Sequence, residues 1–462
     1  MNKFSLAKQF TRKNILIIGL GREGLDSFLF FRRLFPKKTI GLADRNPLES
    51  LDPVFRKTIV QDRYVKLYLG ADYLKAIAGY DIAVKAPGIP IHLPEIEQAY
   101  FAGKITWQTK IFFDLCPGTI IGVTGTKGKS TTSALIFSVL KGAGKPVKLL
   151  GNIGKPILMD LMAAKKSDYF VLELSSHQLF DLKKSPHIAV LLNLYEEHLD
   201  YYRDFAEYAR AKANITLHQS KRDFLIYNSQ NKETAAIAEK TKARKIAFNQ
   251  YDWDFRAAEL PLVGEFNYQN AKVAAIVGEI LKIKKGDINK ALKKFKPLEH
   301  RLESVGLYDG IEFYDDSLST IQESAIAAID GLGDKVQTLI AGGFDRGQPF
   351  NELAAKILNS KIGTLILFPT TGRRIIKEVE RLALDSGRGA RFGEIKYFFA
   401  ASMDEAVKTA YDRTESGRIC LMSCASSSFS LFKNYEEKAR FYKQCLKKYA
   451  KKTGIARTSK KQ

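Results

Sequence analysis

The sequence predicts an α/β protein of three domains, each built on a mostly parallel sheet. Three observations predict it. Short apolar strand-like runs alternate with helix-like stretches in three separate blocks of the 462 residues. A glycine-rich turn closes the first strand of each of the first two blocks. At roughly 100–200 residues per domain, a chain of this length holds two to four domains. The expected divisions are 1–107, 108–300 and 301–462.

The first block opens with the strand NILIIG, which runs into GLGREG (Gly19–Gly24) and the helix-like DSFLFFRRLF. No small-residue cleavage site follows the apolar run, so it reads as a strand and not as a signal peptide. TIGLAD ends at Asp44, about twenty residues on, which matches a dinucleotide fingerprint and a Rossmann-like sheet. IAVKAPGIP then runs from a strand into a Pro87-Gly88 turn. Such a glycine turn holds any diphosphate, that of a nicotinamide dinucleotide or of a UDP-sugar alike. Its candidate contacts are Gly21, Arg22, Glu23, Asp44, Arg45, Pro87 and Gly88.

The second block opens with TIIGVTG and GTKGKST. A standard phosphate loop needs Gly, four residues, then Gly-Lys-Ser/Thr. Counting back from Gly128 puts Val123 where the first glycine belongs, so this loop is shorter. Its chemistry is intact. Gly125, Thr126, Lys127 and Gly128 let backbone N–H groups face phosphate oxygens, and a helix starting near Lys129 adds its positive end. Lys129 reaches the β/γ-phosphates, the Ser130 hydroxyl suits Mg2+, and Thr131 follows. Buried strands YFVLELSS, IAVLLNL and DFLIYN come next. Glu173 ends the first of these and suits Mg2+ coordination or a plain surface role; His198, in NLYEEHLDYY, reads as ligand or as structural residue. Lys212, in the helical DFAEYARAKANITLHQ, is by itself one lysine among many. NYQNAKVAAIVGEILKI has apolar residues at helical spacing, and a boundary falls near Pro297–His300.

The third block alternates the strands IEFYDD, VQTLIAGG, GTLILF and RICLMS with helices. Parallel strands keep their ligand crevices at the carboxyl ends, which singles out Asp315–Ser319 and Gly342–Gly347.

The formal charge is +23. Lysines are scattered, and no RNP, zinc-finger or KH signature accompanies them, so a solvated basic surface is expected and no specific nucleic-acid binding. Cys116, Cys420, Cys424 and Cys445 form no CxxC pair and have no neighbouring histidine, which suits a reducing, cytoplasmic protein. No run of about 18 apolar residues occurs, so no membrane insertion is expected.

TGTKGKST, GNIG (Gly151–Gly154), ELSSHQL, NLYEEHLDYY, YARAK, FNYQNAKVAA, LEHR, DDS and ASSSFSLFKNYEE stand in the order seen in bacterial Mur ligases. With GLGREG and KAPGIP they span essentially the whole chain, and the two ends are most similar to the glutamate-adding branch. The resemblance implies a UDP-binding first domain, a central P-loop ATPase domain and a Rossmann-like C-terminal domain that brings in the amino acid. It implies a monomer that uses ATP and two Mg2+ ions to join glutamate to UDP-N-acetylmuramoyl-L-alanine through an acyl phosphate. Carried over by position, Lys129, Glu173, His198 and Lys212 are catalytic. Ser130 and Glu173 hold one Mg2+; His198 and Lys212, as a carbamate, hold the second. Asn152 lies near the muramoyl group, and Asn267, Asn270, Arg301 and Asp316 frame the adenine and ribose.

Leu318, Thr320, Arg346, Ser428 and Tyr435 are the candidates for the amino-acid pocket. Here the sequence departs from the family. Leu318 stands for a lysine, Ile321 for an asparagine, Arg346 for a lysine and Ser430 for an aspartate, and Phe266 replaces a histidine. An arginine fork holds a carboxylate differently from a lysine. D-glutamate is expected by base rate, L-glutamate is the alternative, and a basic nucleic-acid-binding P-loop NTPase is the remote one.

Overall fold

The computed structural model describes residues 8–151, 157–197 and 201–450. Three sheets carry the chain. The first has the order β3-β2-β1-β4-β5, with β1 Ile15–Ile18, β2 Ile40–Asp44, β3 Val65–Leu69, β4 Ile82–Lys85 and β5 Ile105–Thr106, all parallel. Every residue of β1 and β2 is buried, which is why these strands read as continuous apolar runs with no alternation.

The second sheet runs β11-β10-β9-β6-β8-β7. Its strands are β6 Thr119–Thr124, β7 Val147–Gly151, β8 Tyr169–Glu173, β9 Ile188–Leu191, β10 Phe224–Tyr227 and β11 Arg244–Ala247, again all parallel. β6 lies between β8 and β9, so the order reverses there and leaves a crevice at the carboxyl ends of the three central strands.

The third sheet runs β12-β13-β17-β14-β15-β16. It comprises β12 Glu303–Tyr308, β13 Ile311–Asp315, β14 Val336–Gly342, β15 Thr364–Phe368, β16 Lys396–Phe399 and β17 Ile419–Met422. β12 pairs antiparallel with β13, and the other pairs are parallel.

The chain packs as two compact units. One runs to Phe255 and takes in Gln269–Lys294; the other is Arg256–Tyr268 with the chain from Phe295 on. The first two sheets share the first unit, where one apolar core joins Ile17 and Phe31 of the first sheet's layers to Phe112, Phe170 and Leu191 of the second's. The third sheet has its own cores on its two faces, around Leu339 and Leu353 and around Phe313 and Tyr442. Among the described residues no helix is long and apolar enough to cross a membrane.

Candidate active site

In the first unit, β6 ends at Thr124 and the helix Lys129–Gly142 begins one short loop later. That loop turns on two glycines. Gly125 and Gly128 have φ of +153° and +85°. A Cβ on Gly128 would meet Asn270 Oδ1 at 2.9 Å, and one on Gly125 would meet Leu192 Cβ at the same distance. Only glycine fits either place.

Asn193, just past β9, clasps the loop. Its carbonyl accepts from Thr126 N (2.8 Å), its Oδ1 accepts from Lys127 N (2.8 Å), and its Nδ2 donates to Lys127 O (3.1 Å). Thr126 Oγ1 lies 3.0 Å from Tyr208 OH and accepts from Tyr195 N at 2.9 Å. Asn270 Oδ1 accepts from Thr132 Oγ1 (3.0 Å). Asn270 therefore buttresses the start of the loop's helix.

Val123 pairs with Glu173 across β6 and β8, which sets the Glu173 carboxyl beside the loop's entrance at 2% exposure. Ser130 and Thr131 are buried in the first turn of the helix. Lys129 Nζ donates to Gly125 O (3.0 Å) and Thr126 O (2.8 Å). Lys127 pairs with Glu197 at 3.0 Å.

Lys212 comes from the helix Phe205–Leu217, whose N-cap Asp204 accepts from Glu207 N. Its ammonium is buried behind the loop, donates to Gly125 O (2.9 Å) and lies 4.9 Å from the Tyr208 ring centre. Burial first, then the Lys129 charge, push its pKa well below the ordinary lysine value, with Glu197 and Glu173 pulling the other way. The loop, Glu173, Lys212 and Asn270 thus come together. His198 and Asn152 lie outside the described residues.

The glycine turn after β1 is the second feature of this unit. A Cβ on Gly24 would sit 2.2 Å from Gly19 O, so the turn and its helix, Arg22–Leu34, pack in contact. Asp44 ties the turn down: Oδ2 accepts from Leu20 N (2.7 Å) and Oδ1 from Asn46 N (2.9 Å). Gly21, Arg22 and Arg45 are exposed beside it. The Pro87-Gly88 turn follows β4. Lys85, buried beneath it, donates to Ala86 O (3.0 Å) and Ile89 O (2.6 Å), and Tyr201 OH donates to Ile89 O (3.3 Å). Burial pushes the Lys85 pKa down to about 8. Glu23 turns away from the exposed face, and its Oε1 accepts from Gln178 Nε2 at 3.1 Å.

The second unit carries Asn267, whose Nδ2 donates to Val263 O (2.8 Å). Arg301 sits in a turn where His300 and Leu302 both have positive φ. Asp316 holds that turn: Oδ1 accepts from Leu302 N (3.2 Å) and Oδ2 from Ser423 Oγ (2.7 Å). Burial raises the Asp316 pKa to about 7. His300 Nδ1 bonds Asp315 Oδ2 at 2.8 Å, which raises the imidazole's pKa, and Tyr435 lies against the His300 ring. His300, Glu303 and Asp315 are close enough to hold a cation. Lys443 already pairs with both Glu303 oxygens and Ser317 N with Asp315, so the group satisfies itself.

Leu318 N donates to His300 O (3.3 Å), and Thr320 follows it, half-buried. The loops after β14 and β17 are stitched together by Phe344 N to Ser427 O (2.9 Å) and by Gln348 Nε2 to Ser426 Oγ (3.3 Å). Exposed Arg346 lies 5.9 Å from the Phe429 ring, next to buried Ser428.

Sequence reasoning did not single out Asn193 as the loop's clasp, nor Tyr208, Lys85 or Gln178. Asn193 alone had a local signal, its place just past a strand.

Residues 123–258 match the Mur ligase middle domain. The chain is 32% identical to a UDP-N-acetylmuramoylalanine--D-glutamate ligase of Acetivibrio thermocellus, over 95% of this chain and 97% of that one. It is 33% identical to the protein of the same name from Symbiobacterium thermophilum, over 94% and 97%. Among solved structures it resembles MurF of Acinetobacter baumannii, with a TM-score of 0.59 at 16% identity over 94% of this chain and 90% of that one. It also resembles the UDP-N-acetylmuramate-alanine ligase MurC of Thermotoga maritima, with a TM-score of 0.58 at 15% identity over 96% and 100%.

Proposed function

The chain belongs to the Mur ligase family, and from that premise we propose that it joins glutamate to UDP-N-acetylmuramoyl-L-alanine with ATP, making a peptidoglycan precursor. The reading rests on one observation above all: the register that sets Glu173 beside a phosphate loop too short for the common pattern.

A carboxylate does not acylate an amine at neutral pH, because oxide would have to leave. Transfer of the γ-phosphoryl from ATP to the alanine carboxylate releases ADP and gives an acyl phosphate. The glutamate amine adds to its carbonyl, inorganic phosphate leaves from the tetrahedral intermediate, the amine nitrogen loses its proton, and the amide remains. Backbone N–H groups of residues 125–131 and the start of the helix Lys129–Gly142 cradle the phosphates. Lys129 neutralises charge on the transferred group. To do so it exchanges its bonds to Gly125 O and Thr126 O for phosphate oxygens.

Ser130, in the first turn of the helix Lys129–Gly142, and Glu173, at the end of β8, are buried hard oxygen donors, a set that fits Mg2+. In this reading they hold one ion, and His198 with carbamylated Lys212 holds another; when bound, magnesium supplies positive charge against the phosphoryl oxygens. An ammonium at Lys212 would repel such an ion, and a carbamate is an anion that binds it.

Residues 1–107 take the UDP part at Gly21, Arg22, Arg45 and the Pro87-Gly88 turn, with Asp44 fixing the turn and Asn152 near the muramoyl group. Residues 108–300 take ATP, and residues 301–462 the amino acid, at Leu318, Thr320, Arg346, Ser428 and Tyr435. Asn267, Asn270, Arg301 and Asp316 belong to the adenosine side. The enzyme works as a monomer in the cytoplasm, where ATP and UDP-linked precursors are available.

D-glutamate, the acceptor in the relatives' names, stands first. L-glutamate is favoured by one set of residues: Leu318, Ile321, Arg346 and Ser430, which belong to the expected amino-acid pocket, depart from the family pattern, and inverting the α-carbon demands different donors there. Incubation with ATP, Mg2+, UDP-N-acetylmuramoyl-L-alanine and each glutamate enantiomer should release phosphate with one of them. Turnover with neither refutes the reading.

A further inference from the structure

The first turn of the helix Arg22–Leu34 faces two ways. Its N-terminal end opens the glycine turn at exposed Gly21. Its acids, Glu23 and Asp26, point inward onto segments of the second sheet's layer. Asp26 Oδ2 accepts from Leu158 N (2.8 Å) and Gln108 Nε2 (3.0 Å), and Oδ1 from Met159 N (3.3 Å). Glu23 Oε1 accepts from Gln178 Nε2 at 3.1 Å.

Gln178 is the pivot. It is 3% exposed. Its Oε1 accepts from Ser175 N (3.0 Å), its own N–H donates to Ser175 Oγ (3.3 Å), and its carbonyl accepts from Trp107 Nε1 (3.2 Å). Ser175 stands two residues beyond Glu173. One amide therefore caps the turn that carries Glu173 and also grips the turn that opens at Gly21.

Moving either turn alone would leave a buried amide or carboxylate without its partner, which is unfavourable. Glu23 Oε2 has no hydrogen-bond partner among the described residues, so the Gln178 bond is the one shown for this carboxyl group. A ligand that fixes one turn must bias the other, and the bias is reciprocal.

We propose that Gln178, through Glu23, is a positioning residue that couples occupancy of the sugar-diphosphate turn to occupancy of the nucleotide loop. The proposal rests on the assignment of those two sites made above, and goes beyond it by naming the link between them.

The test is calorimetry of Mg-ADP binding, without and with saturating UDP-N-acetylmuramoyl-L-alanine. The wild type should bind ADP about fivefold more tightly or better with the second ligand present. Glu23→Ala and Gln178→Leu should each cut that factor below about twofold, and the double variant should lose no more than either. Glu23→Gln keeps an oxygen for the Gln178 amide and should retain the coupling, which a general loss of packing would not predict. Thermal melts report folding, and if Gln178→Leu does not fold, the Glu23→Ala and Glu23→Gln pair still decides. Full coupling in Glu23→Ala, or two ligands that bind the wild type independently, overturns the proposal while leaving the assigned function standing. Failure of the wild type to bind the UDP compound at all overturns both.

Discussion

Lys212 shows how much one side chain's surroundings decide. Its type promises a solvated cation, yet it is buried behind the phosphate loop beside Lys129. Lys212→Ala should abolish turnover, and acetate or propionate at high concentration should restore part of it by standing in for a carbamate; undiminished activity in the alanine variant would refute the catalytic role. Glu23 and Asp316 are carboxyls that burial pushes up to about 7. Unfolded, they titrate near the ordinary 4.5 and 3.8. Between those values and about 7 the folded chain keeps protons that the unfolded chain has lost, so their contribution to stability falls as pH rises across that window. Melting temperatures should therefore drop less between about pH 5 and pH 7 in Glu23→Gln and Asp316→Asn than in the wild type. An unchanged pH profile in both variants would show that these acids are ionised in the fold.

At the scale of elements, the phosphate loop depends on its two positive-φ glycines and on the helix behind it. Gly128→Ala forces a left-handed alanine against Asn270 Oδ1, and misplacing the loop should lower kcat by about tenfold or more. Asp204 starts the helix that delivers Lys212, and Asp204→Ala should cost about 1 kcal/mol of stability in denaturant melts. Most elements were legible because their signals are local. β1, β6, β8, β9, β14 and β17 are short buried runs that a turn follows. β3, β12 and β16 have partly exposed residues and no clean run, and only their sheet neighbours make them strands.

For the whole molecule, the +23 charge is the property that the proposed reaction uses least. It attracts anionic substrates and any polyanion alike. Binding to DNA should be independent of sequence and fade steeply as salt rises, and phosphate release should not be stimulated by nucleic acid. Stimulation that survives moderate salt would revive a nucleic-acid role.

The sequence by itself determined the class of fold, the strand-loop-helix here proposed to handle phosphate, the fingerprint at Gly19–Gly24 and the ordered motifs of the family. Each of these is a short-range pattern, because a turn's backbone and a strand's burial are encoded within a few residues. Only the tertiary structure decided what the candidate side chains touch. Lys212 meets Gly125 O across 87 residues, and Glu23 meets Gln178 across 155. Asp44, a textual match to a ribose ligand, spends both oxygens on backbone N–H groups. A partner so distant in the chain leaves no periodic trace, and a buried polar group must take whatever partner the fold brings to it.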